Sequence, residues 1–280
     1  MNLGLIGVGL IGGSMALDLK SKGFVSRVYA YDINATNSKD AVSLGIVDEL
    51  VDLDELVEHS DIILLATPIK ATHEMLPILL DCIGMDKVVL DVGSTKKGVC
   101  ELVKYHKRRC RFVATHPMAG TENSGPKAAV KALFDSKVAI ICDHRDSSPS
   151  ALKKVRDMYQ CLGMDVIYMD SGPHDMHAAY VSHISHISSF VLSLAVQEKE
   201  KSEKTLLDMA SGGFESTVRL AKSDATMWSQ IFMQNQKCIL EVLEVYEKHL
   251  KVFKNLIKNN QESDLVGLIK KANKIKKALK

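Results

Sequence analysis

The glycine-rich stretch LGLIGVGLIGGS constrains the fold of this chain more than any other feature. It has the spacing G-x-G-x-x-G, follows a short apolar run and opens a stretch with helical spacing. The motif glycines are Gly7, Gly9 and Gly12, and Leu10 and Ile11 lie between the last two. Such glycines allow a tight turn, a close approach to a pyrophosphate, and packing of the helix on the strand. The stretch predicts a dinucleotide site in which these five residues contact the cofactor.

An acidic residue at the expected distance supports this prediction. Asp32 follows Gly12 by 20 residues and ends the run RVYAYD. A carboxylate there can accept hydrogen bonds from the adenosine ribose and would repel a 2′-phosphate. No arginine follows nearby that could bind such a phosphate, so we expect NAD rather than NADP as the cofactor.

The alternation of strand and helix patterns extends over residues 1–170. It predicts an α/β domain of the Rossmann type with a doubly wound parallel sheet. After residue 170 the strand signal stops, which predicts an all-α second domain over 171–280, with long helices at 173–199 and 226–258. The apolar stripe of the second helix predicts a homodimer formed through this helical half. The predicted strands are 3–6, 27–31, 61–66, 87–92, 111–115, 137–142 and 165–168.

Composition excludes several classes of protein. The 280 residues are 46% hydrophobic and 25% charged, with a net charge of +2, so a nucleic-acid partner is not expected. No signal peptide and no uncharged apolar window of membrane-spanning length is evident, so no membrane segment is expected. The six cysteines form no C-x-x-C pair, which indicates reduced thiols, a cytoplasmic protein and no metal site. The basic tail 269–280 is expected to be a solvated final helix.

Three polar loops follow predicted strands, and in such sheets ligands bind at the carboxyl ends of the strands. Their sequences are ATPIK, DVGSTKK and THPMAGTE. Ser94 in the second loop and His116 in the third are candidates for handling a proton. Thr67 and Pro68 in the first loop are candidate cofactor contacts.

Four histidines lie near the start of the first long helix: His174, His177, His183 and His186. The last two are spaced i, i+3 with no glutamate between them, unlike a helical zinc pair. Ser182 and His186 are spaced i, i+4, so we expect a polar helix face that lines a substrate cleft. For His174 and His177 individually, a structural role is the better hypothesis.

Five motifs in order give the chain a resemblance to a known family: GVGLIGGS, DVGSTK, THPMAGTENSG, HDMHAAYVSHISH and SGGFESTVRLAKSDATMW. Over residues 1–258 it resembles the prephenate/arogenate dehydrogenases of tyrosine biosynthesis. The resemblance implies a Rossmann domain joined to a helical dimerisation domain. It also implies NAD-dependent oxidative decarboxylation of prephenate to 4-hydroxyphenylpyruvate, with arogenate as the alternative substrate.

Residue roles follow from the same resemblance. His116 matches the catalytic histidine that accepts a hydrogen bond from the substrate C4 hydroxyl, and Ser94 matches a serine that bonds the same hydroxyl. Arg219, which by pattern alone could equally be a surface arginine, matches the anchor of a substrate carboxylate. His186 is the expected carboxylate contact on the helix, and Glu122 is expected to order Arg219. The remaining matched pocket or interface positions are Ser182, His183, Thr121, Gly213 and Trp228.

Two departures from the family pattern stand out. Ser185 replaces a proline that many relatives have between the two motif histidines, which should alter the helix slightly. Ser216 replaces an aspartate three residues before Arg219, so a Glu–Asp–Arg network is not expected. Two alternative functions stay open: another two-domain NAD-dependent dehydrogenase of hydroxyacids or imino acids, and a non-catalytic NAD-sensing regulator.

Overall fold

The computed structural model describes residues 1–277 and contains an eight-stranded sheet. All seven predicted strands are present. The eighth, which pattern did not reveal, has only two residues, both exposed, and pairs with one neighbour at the sheet edge. The strands are β1 (Asn2–Ile6), β2 (Arg27–Tyr31), β3 (Glu49–Leu50), β4 (Ile62–Leu65), β5 (Val88–Asp91), β6 (Phe112–Pro117), β7 (Val138–Cys142) and β8 (Asp165–Met169).

The strand order β3-β2-β1-β4-β5-β6-β7-β8 is that of a Rossmann-type sheet with two added strands. All neighbours are parallel except β6 and β7, which are antiparallel with His116 opposite Ile140. The predicted doubly wound parallel sheet is confirmed, and β6–β7 is its one antiparallel pair among the described residues. The chain between β6 and β7 contains only a 3₁₀ turn, Pro126–Ala128, and no crossover helix, so β7 returns beside β6.

Helices pack on both faces of the sheet, where two buried clusters of hydrophobic residues form the core. The central strands are buried throughout, which explains their continuous apolar runs. The helices are α1 (Leu10–Ser21), α2 (Ala35–Ser43), α3 (Leu53–His59), α4 (Ile69–Cys82), α5 (Lys97–Leu102), α6 (Pro149–Cys161), α7 (Ser171–Ala178), α8 (Ile184–Glu200), α9 (Gly212–Val218), α10 (Ala225–Gln234), α11 (Gln236–Lys258) and α12 (Glu262–Ala272).

The predicted helix 173–199 is continuous from Ser171 to Glu200, but a π turn at Ala179–His183 joins α7 to α8. Contrary to expectation, this helix is long and apolar enough to cross a bilayer, with a mean hydropathy of 1.3 over its best window. One such helix is weak evidence for a membrane span, because the core helix of a protein that does not enter a membrane passes the same test. The π turn marks an unusual site, since such turns often occur where a protein functions.

The chain divides into two compact units, Met1–Asn235 and Gln236–Lys280. The predicted helix 226–258 is two helices, α10 and α11, with a break at Asn235. The basic tail continues from α12 into a 3₁₀ turn, Asn273–Lys277, and its last residues, 278–280, lie outside the described part. No disulfide forms among the described residues.

Candidate active site

The glycine-rich loop connects β1 to α1 and leaves no room for side chains at two positions. Gly7 has φ +92°, and a Cβ there would lie 2.6 Å from the carbonyl oxygen of Ala66. A Cβ at Gly12 would lie 2.5 Å from the carbonyl oxygen of Gly7. The tight turn and the close packing of helix on strand therefore both require glycine.

Gly9 is the residue before α1, and an added Cβ would meet no atom within 4 Å. Leu10 and Ile11 begin this 12-residue helix, and its first turn contains no acidic side chain. The open space beside unpaired backbone N–H groups suits a pyrophosphate.

Asp32 lies at the end of β2, where its carboxylate borders the same loop. One oxygen accepts a hydrogen bond from the Val8 N–H at 2.9 Å, and the other accepts from the Asn34 N–H at 2.8 Å. These bonds fix a negative charge beside the nucleotide loop, as ribose recognition by NAD-binding proteins requires.

The two remaining predicted cofactor contacts shape the loop after β4. The Thr67 hydroxyl lies 2.9 Å from that of Thr72, and Pro68 is the residue before α4. Both residues lie at the same edge of the sheet as the glycine-rich loop.

His116 lies near the end of β6 and is buried. Its Nδ1 is 2.9 Å from Nε2 of His174, and Nδ1 of His174 is 2.8 Å from Oδ1 of Asp175. Burial first, and then the nearby His174, Lys96 and His183, lower the pKa of His116 well below its usual 6.5. The imidazole is therefore neutral near pH 7 and able to accept a proton.

A buried ion pair lies beside His116. Lys96 pairs with Asp91, and its ammonium also donates to the carbonyl oxygen of Thr115 at 2.8 Å. Ser94 is half-buried in the same loop, and within residues 1–277 no hydrogen bond joins it to His116. The predicted bond of Ser94 to the substrate hydroxyl stays a prediction.

The π turn places two histidines against α10. Nδ1 of His183 is 3.2 Å from Nδ2 of Asn235, and burial lowers the pKa of His183 to about 4. His186 stacks on Trp228 with ring centroids 3.5 Å apart, and its Nδ1 is 3.2 Å from the carbonyl oxygen of Ser182. Burial also lowers the pKa of His186, despite that bond.

Arg219 reaches the loop after β6, where its Nη1 donates to Glu122 at 2.9 Å. The predicted link between these residues is present. Ser216 instead donates to the carbonyl oxygen of Gly213 at 3.0 Å, so it adds nothing to this ion pair. Thr121 is exposed, and its hydroxyl accepts from the Asn123 N–H at 3.2 Å.

Sequence reasoning gave no site role to four buried polar residues of this region: Lys96, His174, Asp175 and Asn235. His174, for which a structural role was the better hypothesis, contacts His116 directly, whereas His177 is exposed. The adjacent His174 and Asp175 in the motif HDMH were a usable signal, since a histidine is often oriented by a carboxylate. In residues 1–277, no group of three or more His, Cys, Asp or Glu is arranged to hold a metal.

Two family models together cover most of the chain. Residues 15–168 match "Prephenate dehydrogenase, nucleotide-binding domain". Residues 170–271 match "Prephenate dehydrogenase, dimerization domain". The change between the two matches falls directly after β8, where the sheet ends.

Individual relatives agree with these matches. The chain is 29% identical to the prephenate dehydrogenase of Lactococcus lactis, over 98% of this chain and 76% of that protein. The crystal structure of prephenate dehydrogenase from A. aeolicus with hydroxyphenyl propionate and NAD⁺ has a TM-score of 0.90 and 34% identity, covering 99% and 97% of the two chains. Arogenate dehydrogenase of Synechocystis has a TM-score of 0.79 and 27% identity, covering 99% of each chain.

Proposed function

The chain belongs to the prephenate dehydrogenase family, and on that premise we propose that it catalyses the NAD-dependent oxidative decarboxylation of prephenate. Prephenate is a cyclohexadienol with a ring carboxylate and a C4 hydroxyl. Loss of a hydride from C4, transfer of the hydroxyl proton to a base and loss of CO₂ give a phenolate. The phenolate takes the proton back to form 4-hydroxyphenylpyruvate, and the aromatic ring makes the step effectively irreversible. The observation that carries this function is a neutral, buried His116 at the sheet edge that also bears the glycine-rich loop.

The protein's own groups supply binding and proton transfer. Oxidised NAD, when bound, accepts the hydride from C4. The backbone at Gly9 and the first turn of α1 hold its pyrophosphate, and Asp32 binds the adenosine ribose. His116 accepts the proton of the C4 hydroxyl, a task that suits an imidazole held neutral by burial. Ser94, in the loop after β5, is proposed to bond the same hydroxyl.

Substrate carboxylates bind on the helical side of the cleft. Arg219 offers a guanidinium that can hold a carboxylate by two parallel hydrogen bonds, and its partner Glu122 orients it. The polar face of the π turn and the indole of Trp228 line the same region. Thr121 and Gly213 border it. The family membership argues against the dehydrogenases of hydroxyacids or imino acids and against a non-catalytic regulator.

Residues 1–170 would bind the cofactor, and residues 171–280 would bind substrate and form a homodimer in the cytoplasm. Exposed apolar side chains on α11 support the dimer: Leu240, Leu250 and Ile257 are 53%, 52% and 62% exposed. Such a surface is unfavourable in water unless a second subunit covers it.

The experiment measures NADH formation by its near-ultraviolet absorbance, with NAD⁺ and either prephenate or arogenate in parallel assays. Arogenate is the second candidate because the similar Synechocystis enzyme is an arogenate dehydrogenase. We expect turnover of prephenate and a loss of about 10²–10⁴ in kcat for His116→Asn. Absence of NADH with both substrates, or full activity in the variant, would contradict the proposal.

A further inference from the structure

The carboxylate of Asp175 receives three hydrogen-bonding groups. The N–H groups of Lys96 and Lys97 donate to its two oxygens at 2.7 and 3.0 Å. Nδ1 of His174 lies 2.8 Å from the first of these oxygens. Because a carboxylate only accepts hydrogen bonds, Nδ1 of His174 carries a proton.

The proton on Nδ1 of His174 determines where the proton of His116 lies. A neutral His174 with its proton on Nδ1 has a lone pair on Nε2, which lies 2.9 Å from Nδ1 of His116. His116 therefore donates through Nδ1–H. Its own Nε2 keeps a lone pair, which is the atom that a substrate hydroxyl needs as a proton acceptor.

The backbone carbonyl of Asp175 determines the tautomer of a second histidine, His183, and that tautomer is the opposite of the one at His116. It accepts from Nδ2 of Asn235 at 2.7 Å, and a flipped amide would bring two oxygens together. The same Nδ2 lies 3.2 Å from Nδ1 of His183, so that nitrogen accepts. The proton of neutral His183 is then on Nε2, a buried atom that has no hydrogen-bond partner in the described part of the chain.

His186 differs from His183 in this respect. Its Nδ1 lies 3.2 Å from the carbonyl oxygen of Ser182, so Nδ1 donates and Nε2 of the neutral ring has a lone pair. Of the two neutral histidines in the SHISH motif, only His183 has an Nε2–H without a partner among residues 1–277.

We propose that Asp175 is a positioning residue that sets opposite tautomers on two histidines. Through His174 it makes Nε2 of His116 a proton acceptor, and through Asn235 it makes Nε2 of His183 a donor to a substrate carboxylate. The assignment of substrate groups rests on the function proposed above, but the proton positions do not. His183, rather than His186, is then the helix's contact with the carboxylate.

Nuclear magnetic resonance of the full chain with isotope-labelled histidine tests the proton positions without any substrate. Long-range nitrogen–proton correlations distinguish the two neutral tautomers and the imidazolium, and single-histidine variants assign the signals. At neutral pH we expect a proton on Nδ1 of His116 and on Nε2 of His183. A proton on Nε2 of His116, or an imidazolium at His174, would overturn the proposal even if the enzyme oxidises prephenate.

Two near-isosteric variants then separate the two branches. In Asp175→Leu the acceptor for Nδ1 of His174 is lost, so the proton of His174 is free to move to Nε2, and that of His116 then moves from Nδ1 to Nε2. We expect kcat to fall by about 10²–10⁴, with the tautomer of His183 unchanged. Asn235→Leu should leave the tautomer of His116 unchanged and raise the KM for substrate about tenfold. Equal effects of both variants on kcat and KM, with unchanged tautomers, would indicate only a structural role.

A matched pair at His174 provides a rescue. His174→Gln retains an oxygen that can accept from His116 and should keep most of the activity, whereas His174→Leu leaves Nδ1 of His116 unpaired and should lose it. Equal activities of these two folded variants would contradict the positioning role. If the wild-type enzyme oxidised neither substrate, the proposed function would fail while the resonance measurement still decided the tautomers.

Discussion

The ammonium group of Lys96 and the carboxylate of Asp91 form an ion pair whose side chains are 0% and 2% exposed. The same carboxylate accepts from the Gly93 N–H at 3.0 Å, and the ammonium donates to the carbonyl oxygen of Thr115 at 2.8 Å. Since Thr115 precedes His116, this pair joins the loop after β5 to the strand that carries the candidate base.

Removal of one partner should be strongly destabilising. Lys96→Met leaves the charge of Asp91 buried and unpaired, so we expect a loss of about 3–5 kcal/mol in the free energy of unfolding. Urea denaturation measures it. The neighbouring Lys97→Met is the matched control, because the Lys97 side chain is 56% exposed and forms a surface ion pair with Glu101 at 3.7 Å. Equal stability of the two variants would show that the buried pair is dispensable.

The acid limb of the pH–rate profile should lie well below pH 6.5. Burial, together with His174, Lys96 and His183, lowers the pKa of His116 below that value. The base stays neutral as pH falls and is protonated only when pH passes through its lowered pKa, so activity is lost there. The measurement is kcat/KM against pH. A limb at or above pH 6.5 would mean that another group titrates.

His183 should make folding less favourable in acid. Burial lowers its pKa from 6.5 to about 4, so between these values the unfolded chain binds more protons than the native protein. Stability is therefore complete above pH 6.5 and falls as pH approaches 4, by up to about 3 kcal/mol. His183→Gln should flatten this slope in urea titrations, and His177→Gln, at an exposed position, should not. Identical slopes in both variants would contradict this contribution.

Asp32→Ala should weaken NAD⁺ binding about tenfold and reduce the preference over NADP⁺. The variant loses two hydrogen bonds to backbone N–H groups and the charge that repels a 2′-phosphate. Calorimetric titration with each cofactor measures both effects, with the exposed Asp54→Ala as control. Unchanged affinity for both cofactors would remove Asp32 from the ribose site.

The parts of the fold that sequence predicted are those in which one segment determines its own structure. Buried β4 and β5 are continuous aliphatic runs, and the glycine spacing reflects the close contact of Gly12 with Gly7. The direction of β7 was not predictable from the sequence, because it depends on the path of the loop that brings the chain back beside β6.

The contacts between residues of the site were harder to predict from the sequence pattern. His174 and Asp175 meet His116 and the loop after β5 only because α7 packs there. The π turn rotates the faces of α8 relative to α7, so a uniform helical period could not distinguish the roles of His183 and His186. The partnership of Glu122 and Arg219 was expected from family resemblance alone, since 97 residues separate them.

Substitutions of Arg219 test whether this side chain binds a substrate carboxylate. Its side chain is 52% exposed and donates to Glu122 at 2.9 Å, so it is available to a carboxylate without being held in the core. Arg219→Gln should raise the KM for substrate about 10–100-fold and leave the KM for NAD⁺ unchanged, because the lost hydrogen bonds are charge-assisted and bidentate. Arg219→Lys, which keeps the charge but not the fork, should fall between. Steady-state kinetics with each substrate varied in turn measures the split, and an equal rise in both KM values would place Arg219 outside the carboxylate site.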